Sequence, residues 1–174
     1  MTDPTAPVPF GATPDARCVF YHRVCDLPAR LDPPELGRIT VRADHLAALV
    51  MPSALGHAVH TDLQHSHRHG AIGCTAPVLT HPRTGRWTFL IRPDLPDDTA
   101  LFAEMFRHGI CLTRPGATIV LPSPSDIDER FRRWIHLPRN PFRPSGHTVL
   151  DAVRACTART GWLATPAPTR GPRP

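Results

Sequence analysis

The sequence predicts an α+β fold: a single domain in which β-hairpins form a mainly antiparallel sheet, packed by about three helices. Three observations carry this. Apolar residues make up 41% of 174 residues, enough to fill one core. Proline is used 22 times and glycine 11 times, which breaks the chain into short elements and excludes a coiled coil or helical bundle. Segments of period two alternate with segments of period 3.6, without the regular strand–helix–strand order of a parallel sheet.

Residues 1–17 are rich in Pro, Thr and Ala and read as a flexible leader. Residues 18–36 form a Pro-marked segment, the core domain spans 37–164, and 165–174 read as a disordered, basic, Pro-rich tail. Arg38–Arg42 alternates as a half-buried strand, and Leu46–Met51 is a continuous apolar run suited to a buried one. Pro52 fits a first helical turn, and Leu55, Val59 and Leu63 recur every four residues until the polar HSHRHG run. Pro77–Thr80 and Trp87–Ile91 flank a Gly85 turn as a hairpin.

Asp98 suits a helix start, with Leu101, Phe102, Met105 and Phe106 on one face and Gly109 at the end. Ile110–Thr113 and Ala117–Leu121 flank RPG as a second predicted hairpin, and Arg132–Leu137 reads as one more strand. Ser145 caps a last helix that places Val149, Val153 and Cys156 on one face and closes at Gly161.

The net charge is +5, and all 20 basic residues are Arg. Guanidinium forks that grip phosphate or carboxylate are therefore abundant, whereas Schiff-base chemistry through lysine is excluded. No apolar run approaches the roughly 18 residues that span a bilayer. With no secretory leader in the reading and five Cys lacking any CxxC pair, the expectation is a cytoplasmic protein with no membrane partner and reduced thiols. GxSxG, GxGxxG and GxxxxGK[ST] are all missing, so the commonest nucleophile and nucleotide loops are excluded.

Two patterns carry chemistry. Arg83 and Arg86 belong to the first hairpin, and Arg130, Arg132, Arg133, Arg139 and Arg143 follow within a short span containing Phe131, Trp134 and Phe142. Guanidinium for phosphate and rings for bases are what a single-stranded nucleic-acid surface needs. The competing reading makes the rings core residues with Arg snorkelling over them. The second pattern is the histidine-rich segment 57–74. Within it His65, His67, His69 and Cys74, with His57 and His60 upstream, are candidate ligands for Zn or another divalent transition metal. Its alternative is a solvated loop. Asp126, Asp128 and Glu129 pose the same choice between a cation site and a capped turn.

The middle of the chain resembles a known family. Thr84–Phe89, then Gly116–Ser123, then Phe131–Trp134 are similar to the N-terminal module of bifunctional DNA primase/polymerases, over roughly residues 77–137. The body also resembles short actinobacterial proteins of unassigned function, through Met51–Gly56, His81–Leu90, Leu121–Pro124 and Phe142–Ser145. The first resemblance implies a related β-rich core. Active members use an early acidic pair for metals and a strand histidine. Where that acidic pair should stand, only the isolated Asp44 and Asp62 are found, and Trp87 and Thr88 occupy the histidine's place. Two-metal catalysis needs paired carboxylates. The expectation is thus a degenerate, non-catalytic binding or regulatory module that engages nucleic acid or a larger protein partner. The alternatives are a metal-binding protein or metalloenzyme built on segment 57–74, and a protein-interaction adaptor.

Overall fold

The computed structural model describes residues 9–68, 76–126 and 131–161, with side chains to residue 65 in the first stretch. Helix α1 spans Pro14–Cys25 and leads to strand β1 (Arg30–Leu31). Strands β2 (Ile39–Arg42) and β3 (Ala47–Pro52) then run directly into helix α2 (Ser53–Arg68). Next come β4 (Val78–His81), β5 (Arg86–Ile91), α3 (Thr99–Arg107), β6 (Cys111–Leu112) and β7 (Thr118–Leu121). Strand β8 (Arg133–His136) and helix α4 (Gly146–Thr160) complete the chain. The strands build two antiparallel sheets, ordered β1-β2-β7 and β6-β3-β5-β4-β8. The α+β expectation holds, with four helices among the described residues. None of them is long and apolar enough to cross a membrane.

The five-stranded sheet is buried on both faces, and the alternation of its strands decides which side chain goes where. On one face Leu49, Met51, Val78, Phe89 and Ile91 meet Leu55, Val59 and Leu63 of α2, Leu101 and Met105 of α3, and Val149 and Val153 of α4. On the other, Ala48, Leu79 and Leu90 meet the smaller sheet (Ile39, Val41, Ile119, Leu121) and Phe20, Tyr21 and Cys25 of α1. Phe89 is fully buried, which stabilises by about 1.5–3 kcal/mol relative to an exposed ring.

The predicted β4–β5 hairpin is present. Gly85, at φ +63°, takes the left-handed turn position. Caps fall where the sequence places them: Asp98 accepts from the Ala100 amide at 3.0 Å, and Ser145 accepts from the His147 amide at 3.2 Å. Gly56 has a different reason. A Cβ there would stand 2.8 Å from the Cβ of Trp87, so only glycine lets α2 lie this close to β5.

Three expectations are corrected. The predicted hairpin across RPG is not one, because β6 pairs with β3 while β7 pairs with β2 in the other sheet. A turn does form, with the Ala117 amide donating to the Arg114 carbonyl at 3.0 Å, but the chain leaves it toward a different sheet. The β2–β3 connection makes the same crossing alongside, joined by Ala43 N–H to the Ala117 carbonyl at 2.8 Å and Gly116 N–H to the Ala43 carbonyl at 3.1 Å. Burial drives the split: Ile119 and Leu121 fill one core, and Ile110 fills the other.

The expected leader also ends early. Thr13 caps α1, and Phe10 packs edge-on against Phe20 at 5.0 Å. Arg17 lies 3.4 Å over the Phe10 ring and donates to the Phe10 carbonyl at 2.7 Å. Finally, Pro52 closes β3 instead of opening α2.

The smaller sheet and β8 are tied together through one buried phenol. Trp134 Nε1–H donates to the Tyr21 hydroxyl at 2.8 Å, and that hydroxyl donates to the Pro122 carbonyl at 2.8 Å. Burial pushes the Tyr21 pKa up to about 12, so the proton stays on. Tyr21→Phe leaves the indole N–H and the carbonyl without this partner, and urea unfolding should show a loss of about 1–3 kcal/mol. An unchanged midpoint would mean that the bond contributes nothing net.

Candidate functional site

Strand β8 is one outer edge of the five-stranded sheet, paired only with β4. Its register contains an irregularity that sets the chemistry of the edge. Thr80 pairs with Arg133 and Leu79 with Trp134, but Val78 pairs with His136, leaving Ile135 as an extra residue. This is a β-bulge. Without it Trp134 and His136, two apart, would share a face. With it Trp134 lies opposite Leu79 and turns toward the α1 side, while His136 lies opposite Val78 and turns toward α2.

The basic residues singled out in the sequence separate into two groups. Arg86, Arg143 and Trp134 are committed to the fold, which corrects their reading as surface ligands. The Arg86 guanidinium donates to the carbonyls of Val50 at 3.1 Å and Gly109 at 2.7 Å. Arg143, with only 11% of its side chain exposed, donates to the carbonyls of Cys25 and Asp26 at 3.0 and 3.1 Å. Each guanidinium bridges two backbone carbonyls, a role a planar fork fills well. Trp134 packs edge-on against Tyr21 at 6.0 Å.

Arg83, Arg133 and Arg139 are exposed. No described carboxylate lies within ion-pair distance of any of them. Arg83 sits in the turn between β4 and β5, Arg133 opens β8, and Arg139 follows it. Phe131 and Ile135, 45% and 37% exposed, lie on the same edge segment. Arg132 is intermediate. Burial, opposed by Asp126 and reinforced by Arg38, holds its pKa below the usual arginine range. Arg130 lies outside the described residues.

Of the histidine segment, His65 is exposed on α2, its ring nitrogen Nδ1 2.7 Å from the Thr61 carbonyl. His67 has no described side chain, and His69 and Cys74 lie outside the described residues. Among the described residues no group of three or more His, Cys, Asp or Glu is placed to hold a metal ion.

What the sequence missed is a smaller grouping at the seam of α2 and β8. Trp87 is flanked edge-on by His57 and His60, each at 6.1 Å, and His60 faces His136 at 6.2 Å. His136 gave no signal because the bulge that turns it toward α2 has no sequence signature.

The carboxylates serve structural ends. Asp126 accepts from the Ser123 amide at 3.1 Å, as a capped turn requires, while Asp128 and Glu129 lie outside the described residues. Asp44 pairs with Arg42 at 3.8 Å, and Asp62, on α2, accepts from Arg159 at 2.7 Å. Of the described cysteines Cys25 and Cys156 are buried, Cys18 is partly so and Cys111 is exposed, all as free thiols. Compared with known family models, curated proteins and solved structures, the chain matches none of them.

Two predictions follow from this division of labour. Arg86→Ala leaves two carbonyls without their donor and should cost about 1–3 kcal/mol in urea unfolding, whereas exposed Arg133→Ala should stay within about 0.5 kcal/mol. The pH dependence has a definite sign. Burial, followed by neighbouring His136 and His57, lowers the His60 pKa, and burial followed by Arg139 lowers that of His136. Both rings are neutral in the folded protein where the unfolded chain already binds protons, so stability is full above the ordinary value of 6.5. It should fall as pH drops from 6.5 through the lowered folded values. Melting temperatures of wild type and of a His60→Gln/His136→Gln variant between pH 7.5 and 5 test this. Parallel profiles would refute it.

Proposed function

We propose that the chain is a non-catalytic, primase/polymerase-like binding module that engages single-stranded nucleic acid along the β8 edge. The observation that carries the reading is the exposure of Arg83, Arg133 and Arg139 around one edge strand, with Phe131 and Ile135 exposed beside them. Three exposed cations along an extended edge suit a flexible chain of phosphates, and an exposed ring beside them suits an unstacked base. A rigid duplex offers neither free bases nor the curvature to follow so short a strand.

The non-catalytic part rests on the carboxylates. Asp44 and Asp62, which stand where the resemblance calls for an acidic pair, sit in the β2–β3 turn and on α2, each paired with an arginine. Neither belongs to a described cluster of three or more potential ligands. Two-metal catalysis needs paired carboxylates to hold both cations at a reacting phosphate, and Asp44 and Asp62 are not such a pair.

Fluorescence anisotropy with a labelled oligothymidylate, titrated at several salt concentrations, tests the reading directly. Binding should weaken as salt rises, with log K falling by about 0.7 per log unit of salt for each phosphate contacted. The Arg83→Ala/Arg133→Ala/Arg139→Ala variant should bind more weakly and flatten that slope while melting like wild type. Salt-independent binding, or none at micromolar protein, would overturn the nucleic-acid reading. Primer extension with magnesium or manganese should be blank, and synthesis dependent on this chain would overturn the non-catalytic one.

A further inference from the structure

We propose that the cavity between the β2–β3 connection, helix α3 and the turn at Arg114–Gly116 binds a free α-amino acid with a small aliphatic side chain, leucine or valine. It lies at the β6 end of the five-stranded sheet, the opposite edge from β8, and is independent of the nucleic-acid reading.

Shape comes first. The cavity holds about 90 Å³ and forms where the two cores meet. Ala43 and Leu46 come from the core around the smaller sheet, and Ala47, Leu95 and Leu112 from the core under the helices. Ala43 and Ala47 are both buried, and their single methyl groups leave space that longer side chains would fill. Phe102 of α3 supplies a wall. Benzene is held by a cavity of about 150 Å³, so about 90 Å³ takes roughly three or four carbons. That is the side chain of valine or leucine.

The walls are set before any ligand arrives. Thr113 N–H donates to the Ala48 carbonyl at 2.9 Å, and Ala48 N–H donates to the Thr113 hydroxyl at 2.7 Å. Ala43 is bonded to Gly116 and Ala117 where the chain crosses between sheets. The wall that carries Leu95 is tied to α4, because Asp94 accepts from the Gly146 amide at 2.7 Å. A preformed cavity needs little ordering when a small ligand enters.

The charges at the mouth name the ligand. Asp97 and Arg114 both line it, and both are exposed. They stand beyond ion-pair distance of each other, and neither has an ion-pair partner among the described residues. The Arg114 guanidinium lies 5.5 Å from the Phe102 ring centre, a contact that leaves its N–H groups available. Asp44, the other acid at the mouth, faces Arg42 at 3.8 Å. One cation and one anion are thus left unanswered beside an apolar hole. An α-amino acid carries the complement on a single carbon: a carboxylate for Arg114, an ammonium for Asp97 and an alkyl group for the cavity. A fatty acid would leave Asp97 unmatched, and an alkylamine would leave Arg114 unmatched. A residue within a peptide lacks at least one of the two charges.

Isothermal titration of the full-length chain with L-leucine at neutral pH should give one site per chain. Glycine, isocaproate and isopentylamine lack the side chain, the ammonium and the carboxylate in turn, and each should bind about tenfold or more weakly. Arg114→Gln and Asp97→Asn should each weaken leucine by a similar factor while melting like wild type, since both positions are exposed. In the wild-type protein leucine should shift the methyl NMR signals of Ala43 and Ala47. No binding at millimolar leucine overturns the proposal, as does equal affinity for isocaproate or isopentylamine. Binding that leaves both alanine methyls unmoved places leucine elsewhere and overturns it too. The analogues and the NMR measurement need no substitution, so a variant that fails to fold leaves the test intact. Oligothymidylate titrations read the β8 edge separately, and either proposal can fail without the other.

Discussion

The extra residue at Ile135 is the constraint on which the outer edge of this protein depends. A regular β8 would point Trp134 and His136 the same way, and one of the two cores would lose its cover. The bulge sends the indole to Tyr21 and the imidazole to α2, so one four-residue strand closes both faces of the sheet. The hydrogen bond from Trp134 to the buried Tyr21 hydroxyl fixes the inward half of this arrangement. Tyr21 passes it on to the Pro122 carbonyl just beyond the smaller sheet. Helix α1, the small sheet and the edge strand are therefore one mechanical unit, although residues 21 and 134 are far apart in sequence.

Arginine does two kinds of work in this chain. Arg17, Arg86 and Arg143 donate to backbone carbonyls. Arg154 and Arg159 join helices, the first by a two-point contact with Glu104 on α3 and the second by a 2.7 Å bond to Asp62 on α2. Only after these are set aside do the exposed arginines stand out, fewer and more localised than the composition suggests. A positive net charge thus overstates what is free to meet an anionic partner, since part of it is internal structure.

Much of the local structure was readable because it obeys short-range rules. The β4–β5 hairpin has its left-handed glycine, α3 and α4 have their caps, and β3 has an apolar run matching burial on both sides, whereas β2, read as half-buried, also buries Thr40. The misread segments are those where a distant partner decides. The turn at Arg114–Gly116 looks like a hairpin reversal from its residues, yet its flanks join different sheets because each finds a different core. The segment before Arg17 lacks an apolar period, but Phe10 and Arg17 stack together and tie it to α1. In the candidate site, exposed Arg83, Arg133 and Arg139 were legible as a class, and Arg86 and Arg143 were indistinguishable from them. Whether a guanidinium meets solvent or a carbonyl depends on what lies across from it.

The sequence by itself determined the α+β class, the apolar faces of α2 and α4, the tight turn at Gly85 and the absence of lysine chemistry, whereas Phe106, read onto the apolar face of α3, is exposed. Each follows from residue type and spacing within a few positions. The tertiary structure alone decided which arginines are occupied, that the chain crosses between two sheets instead of folding back, and that His60 faces His136. These depend on register and on contacts between remote segments. A single inserted residue reverses every side chain beyond it, and no local pattern records that event.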